Sequence, residues 1–275
     1  MKLVSAAKFH KAQESISRFS PYSNRILKLL SRIAPFAPDE IQKKWFSAPT
    51  ELKKVGFVVI TSNSSMCAGF NLNLLKHFLE EAPLIAGDLW GTEDVGIFCL
   101  GKKGGDFLKK REDLNVKIIN SEVVNKPAFS CSADFCSLLM KQFEKNEFDA
   151  IYLVFNYFKN PAVQEPKITP ILPFSPPEKD LSEVDPVELL FEPNKEYILD
   201  VLIPLGVKTM FHETILENAL GEHGARMTAM HQATENAIEL NKNLKLQYNK
   251  ARQASITKEI LEIVSGAEAL KAKAR

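Results

Sequence analysis

The sequence predicts an α/β fold of composite build: an antiparallel coiled coil of the N- and C-terminal helices with an inserted Rossmann-like α/β domain. Three observations predict it. From about Val207 to Arg275 the chain holds no proline and is filled with Ala, Leu, Glu, Lys, Gln and Met, all good helix formers. Residues 1–34 carry Leu3, Val4, Ala7, Ile16, Phe19, Ile26, Leu30 and Ile33 at mostly helical spacing. Between these segments, short β-branched apolar runs alternate with helical stretches, the mark of βαβ units around a mainly parallel sheet.

The predicted organisation follows in chain order. Residues 1–34 form an N-terminal coiled-coil helix, with a kink expected at Pro21 and an end enforced by Pro35 and Pro38. Residues 35–53 are a linker. Residues 54–173 are an α/β foot. Its strands are Lys54–Thr61, Val95–Leu100, Val116–Ile119 and Asp149–Phe155, with Val163–Leu172 as an antiparallel edge strand that its prolines suit. Its helices are Asn71–Glu80, Asp106–Arg111 and Ala133–Lys145. Residues 174–204 are a Pro/Glu-rich connector that includes a short helix, Lys195–Leu202. Residues 205–275 are the long C-terminal coiled-coil helix. At ~1.5 Å per residue that helix outruns the width of a small domain, so it must pair with another helix or run through a partner. Met230, Ala233, Ala237, Leu240, Leu244, Gln247 or Tyr248, and Ala251 recur at steps of three and four, a seam of coiled-coil period. The N-terminal helix is the expected antiparallel partner.

Composition narrows the function. A net charge of +1 gives no overall drive toward nucleic acid, and no apolar run approaches a membrane span. Charge is unevenly placed, however. The first helix carries Lys2, Lys8, Lys11, Arg18, Arg25, Lys28 and Arg32 against Glu14 alone. Such a helix suits acidic protein loops, anionic lipid or nucleic acid, or is simply a solvated face. Cys67, Cys99, Cys131 and Cys136 form no C-x-x-C pair and read as free thiols.

No Walker loop and no G-x-G-x-x-G follows a strand. Gly101–Gly105, with Lys102 and Lys103, is either a phosphate cradle or a tight strand-to-helix turn. Cys67, in the loop after the first strand, has no base nearby in sequence to activate it. His10, His77, His212, His223 and His231 read as surface or interface residues. His223 and His231, eight apart, miss the i, i+4 geometry of a shared metal. No catalytic, metal or cofactor-binding residue is expected.

The segments Arg226–Ala237, Tyr248–Glu259 and Glu262–Ala267 closely resemble the C-terminal signature of the gamma subunit of F-type ATP synthase. Met1–Lys8, Pro21-Tyr22, Thr61-Ser62, Cys67–Gly69 and Asn71 are similar to that family's other motifs. The resemblance implies a non-catalytic central-stalk rotor that couples rotation of the membrane c-ring to conformational change at the beta-subunit catalytic sites during ATP synthesis. It implies alpha, beta and epsilon subunits and the c-ring as partners. It implies a peripheral position on the cytoplasmic face of a bacterial inner membrane. By the same resemblance, Arg252, Gln253, Thr257 and Glu259 match residues that engage a beta-subunit loop. Arg226 and Met1 match the shaft region near an acidic beta-subunit lever.

Two departures stand out. Family members carry a further stretch ahead of the position of Met1, which points to a start assigned at an internal methionine. Asn63-Ser64-Ser65-Met66 replaces the Asp-Arg-Gly-Leu usual in that loop. The residues alone leave open an α/β phosphate- or nucleotide-binding protein with a helical-hairpin oligomerisation arm, and a coiled-coil adaptor.

Overall fold

The computed structural model describes residues 2–47, 51–111, 113–125, 127–174, 191–192 and 194–273. Met1 and most of the expected connector lie outside the described residues. Contacts divide the chain into two units, Met1–Ala229 and Met230–Arg275.

In the first unit, α1 (Lys2–Ile33) continues through Pro21. A 3-10 turn (Ala34–Phe36), α2 (Asp39–Ile41) and a π-turn (Gln42–Phe46) follow. The expected linker is therefore partly structured. Trp45 is buried and lies 5.9 Å, centroid to centroid, from Phe143. The sheet contains β1 (Val55–Ile60), β2 (Val95–Leu100), β3 (Val116–Asn120), β4 (Ala150–Asn160) and β5 (Val163–Leu172), in the order β3-β2-β1-β4-β5. The first four are parallel. β5 is antiparallel to β4 at the edge, where Pro166 and Pro170 cost no inner ladder bond. Four helices connect the strands: α3 (Phe70–Ala86), α4 (Lys102–Leu108), α5 (Glu122–Asn125) and α6 (Phe129–Glu144).

β1 and β2 are buried along their whole length because both sheet faces are covered. The two-residue strand period splits their side chains between two cores. Val55, Phe57, Val59, Ile97 and Cys99 pack under α3 against Leu74, Phe78 and Ala82. Val58, Ile60, Phe98 and Leu100 face Phe135 and Leu139 of α6, and Ile203, Val207 and Phe211 of the last helix.

That last helix, α7, spans Lys195–Lys273 without a break. The expected separation into Lys195–Leu202 and a helix from Val207 is corrected here. Pro204 removes one helical hydrogen bond and crowds the preceding turn. Leu199, Ile203 and Val207, at 0–1% exposure around it, hold the turns in place.

α1 packs antiparallel on the first part of α7. Leu30 meets Gly206, Ser20 and Ser23 meet Glu213, and Phe9 meets Gly224. The expected antiparallel pairing of the terminal helices is present, and α1 pairs with residues 206–225 of α7. By itself, the second unit is the continuation of α7, and His231–Ala269 are exposed throughout.

A Cβ on Gly206 would fall on Leu30 Cδ1, and Leu30 is fully buried. In an open helix Gly→Ala stabilises by roughly 1 kcal/mol. Here Gly206→Ala should instead destabilise by about 1–3 kcal/mol through overpacking. Combined with Leu30→Ala, it should become neutral or favourable. Denaturant melts of the two single variants and the double variant check this coupling; additive effects would refute the close contact.

Candidate functional site

Arg226 lies on α7 within the first unit, and the fold turns it inward. Its Nε donates to the Ser65 carbonyl at 3.3 Å, and its Nη2 donates to the Ser64 carbonyl at 3.2 Å and to Glu222 Oε1 at 2.7 Å. Nη1 lies 3.2 Å from His223 Nδ1. A guanidinium only donates, so His223 accepts on Nδ1 and carries its proton on Nε2. Burial, then the charges of Arg226 and Lys8, push the His223 pKa down to about 4. Burial raises the Glu222 carboxyl, and Arg226 only partly offsets it. The i, i+4 spacing of Glu222 and Arg226 was a sequence signal for this pair; the two loop carbonyls were not.

The loop held by Arg226 begins at Ser62, after β1. Asn63, which departs from the usual loop motif, ties three elements together. Its Nδ2 donates to the Ser121 carbonyl and to Asn125 Oδ1, and its Oδ1 accepts from the Lys102 amide, all at 2.8 Å. The Gly104 amide donates to Thr61 Oγ1 at 2.9 Å and the Lys103 amide to the Ser62 carbonyl at 3.1 Å. The amides of Lys102, Lys103 and Gly104, which a phosphate cradle would use, are therefore already engaged, and Gly101 (φ 107°) makes a tight turn. Cys67 is buried against Phe70 and Ala225, and its sulfur accepts from Asn71 Nδ2 at 3.3 Å.

Arg252, Gln253, Thr257 and Glu259 all lie exposed on α7 in the second unit. At ~100° per residue they share an arc of about 160°. Thr257 Oγ1 donates to the Gln253 backbone carbonyl at 2.9 Å. Met1, the remaining expected contact, lies outside the described residues.

The ATP synthase family model matches residues 1–270. The chain is 43% identical over 271 residues to the ATP synthase gamma chain of Flavobacterium psychrophilum, covering 98% of this chain and 92% of that one. It is 38% identical over 272 residues, with the same coverage, to the gamma chain of Syntrophobacter fumaroxidans. The chain belongs to the ATP synthase gamma chain family. Its fold resembles a chain of the Tetrahymena thermophila mitochondrial ATP synthase central stalk and c-ring, with a TM-score of 0.59 at 22% identity over 85% of this chain and 97% of that one. It also resembles a chain of the Euglena gracilis mitochondrial ATP synthase, with a TM-score of 0.61 at 18% identity over 98% and 97%. At these identities the likeness is one of fold.

Elsewhere in this gamma-family chain, His212 corrects the surface reading of the histidines. It is buried, its Nδ1 lies 2.9 Å from Ser132 Oγ, and Phe19 and Phe129 meet its ring edge-on. Burial lowers its pKa to about 4. This Ser–His pair resembles half of a hydrolase triad, but Ser132 is sealed at 0% exposure and packs as core. Among the described residues no group of three His, Cys, Asp or Glu is placed to hold a metal.

Two predictions follow from the charged groups of α7. Arg226→Ala strands Glu222, whose side chain is 9% exposed. It should cost about 3 kcal/mol, the low end for a broken buried pair. Adding Glu222→Gln should restore much of that loss in thermal melts, whereas a silent Arg226→Ala would show that the latch carries no load. Glu217 has its pKa raised to about 7, first by burial and then by Glu213, against the pull of Lys167. Between 4.5 and about 7 the folded state holds a proton that the unfolded chain releases. Stability at this site is therefore full below pH 4.5 and falls as pH rises through 7. Glu217→Gln should match wild type near pH 4.5 and exceed it at pH 8. An equal gain at both pH values would reject the assignment.

Proposed function

We propose that this chain is the central-stalk rotor subunit of an F-type ATP synthase, coupling c-ring rotation to conformational change at the beta-subunit catalytic sites. One observation carries the reading. His231–Ala269 form helix with every residue exposed, including Leu240, Leu244, Tyr248, Ile256, Ile260 and Ile263. An isolated helix has little stability in water, and apolar side chains on every side of it call for surrounding partner surface. A ring of alpha and beta subunits supplies that sleeve. Arg252, Gln253, Thr257 and Glu259 are polar on one arc only, so successive beta subunits meet a different face as the shaft turns. Such contacts must break on every turn, which favours many hydrogen bonds worth about 0.5–1.5 kcal/mol each over a few strong ones.

In this reading the chain performs no chemistry. Arg226 and Met1 belong to the region near the acidic beta lever, and the basic α1 suits that neighbour. The first unit meets the epsilon subunit and the c-ring, at the cytoplasmic face of a bacterial inner membrane. No helix among the described residues is long and apolar enough to cross a membrane, and the complex supplies the membrane attachment. The alternative, a phosphate-binding protein with an oligomerisation arm, is disfavoured by the engaged amides at Gly101–Gly104.

Co-expression with alpha and beta subunits tests the proposal. A stable complex containing this chain is expected. In that complex, Arg252→Ala with Gln253→Ala should leave assembly intact and lower ATP-driven ion pumping several-fold. A chain that purifies as a lone monomer in the presence of alpha and beta overturns the rotor. Lost assembly with coupling unchanged in the remaining complex points to an adaptor.

A further inference from the structure

A cavity of about 460 Å³ opens in the first unit between α1, the Ser62–Gly69 loop and α7. Lys8 and Lys11 line one wall, one helical turn apart, with Asn63 and Ser64 on the second and His223 and Arg226 on the third. Val124, Pro127 and Leu216 give it an apolar side. Its charge is unbalanced. The only carboxylate in the lining, Glu222, is neutralised by Arg226 at 2.7 Å. The ammonium groups of Lys8 and Lys11 have no ion-pair partner among the described residues. Lys8 lines the cleft with Glu222 and His223, and its charge lowers the pKa of both. His223, fixed by Arg226 with its proton on Nε2, adds a neutral donor. Two unmatched cations over a low-dielectric wall focus a positive field. The volume falls in the range of small-ligand sites and exceeds what one carboxylate fills.

We propose that this cleft binds a di- or triphosphate group, free or carried on a nucleotide. The multiple charges of such a group match both lysines at once, and its oxygens accept from the ammonium groups and from His223. The site is separate from the Gly101 turn, whose amides are engaged. Bound there, the anion bridges α1 to α7 at the level of the loop latch.

The full-length chain alone is the test material, so failure here leaves the rotor reading untouched. Pyrophosphate and ATP are titrated at matched ionic strength, with potassium chloride as the control, by calorimetry and by NMR of the His223 ring. Saturable binding with a Kd below about 1 mM is expected. Lys8→Gln with Lys11→Gln should weaken it at least tenfold. Both side chains are exposed on α1, so the variant keeps the core. The His223 titration midpoint should rise above about 4 on binding, because burial still lowers it but an anion offsets the charges of Arg226 and Lys8 that lower it further. Tighter binding of ATP assigns the nucleotide source, and tighter pyrophosphate binding the free one. A response no larger than that of chloride, binding indifferent to the lysine variant, or a response only to an acidic peptide would each overturn the site.

Discussion

The close antiparallel contact between α1 and residues 206–225 of α7 is the constraint on which the rest of the first unit depends. It needs a missing side chain at Gly206 to seat Leu30, and another at Gly224 where Phe9 and Pro161 converge. It also carries an unusual polar centre. Each oxygen of Glu213 accepts a serine hydroxyl, from Ser20 and from Ser23, and Ser23 is fully buried. Both oxygens of this half-buried carboxylate are therefore held by hydroxyl donors from the facing helix. The register of two long helices is thereby fixed by a few specific bonds, because a shift of one residue would leave the buried Ser23 hydroxyl without its acceptor.

That polar centre also explains what the sequence concealed. β1, β2 and β5 were legible almost to the residue, because continuous β-branched runs and edge prolines each have one physical meaning. The pairing register was not. Thr209, His212, Thr214, Asn218 and Glu222 are all buried on α7, so the true contact surface reads as mixed, while the exposed stretch beyond Met230 shows the cleaner heptad. Periodicity reports where a helix can take a partner, and the stretch with the cleaner period is the one that stands exposed. Pro204 misled for a related reason. A local rule predicts a break, and the packing of Leu199, Ile203 and Val207 overrides it.

The candidate site divides the same way. Arg252, Gln253, Thr257 and Glu259 are expected contacts only through motif likeness, since nothing in their local spacing marks them, and all four are exposed. Arg226 was legible by the same route, yet its surroundings were not. Its donors reach carbonyls of Ser64 and Ser65 more than 160 residues away, a contact between a helix and a loop that no local pattern encodes. The departure from the usual charged motif at Asn63 is likewise understandable only in three dimensions. A neutral side chain that both donates and accepts can bond Ser121, Asn125 and Lys102 together, whereas an aspartate could accept from the Lys102 amide but could not donate to the other two.

The two units of the chain are written in different chemistry. Where it is gripped by its own domain, contacts must not slip. There the structure uses glycine-mediated close packing, a largely covered Arg–Glu pair and hydroxyl–carboxylate bonds whose loss strands a desolvated group. In the proposed rotor, the exposed stretch of α7 needs contacts that form and break repeatedly. There the helix offers exposed single hydrogen bonds and surface pairs, Lys258–Glu262 at 3.8 Å and His231–Glu235 at 3.4 Å (an ion pair when His231 is protonated), of the kind that contributes at most about 1 kcal/mol. The boundary between the two regimes falls near Met230. Arg226 stands just inside it, which is why its charge is turned onto the loop and not left free.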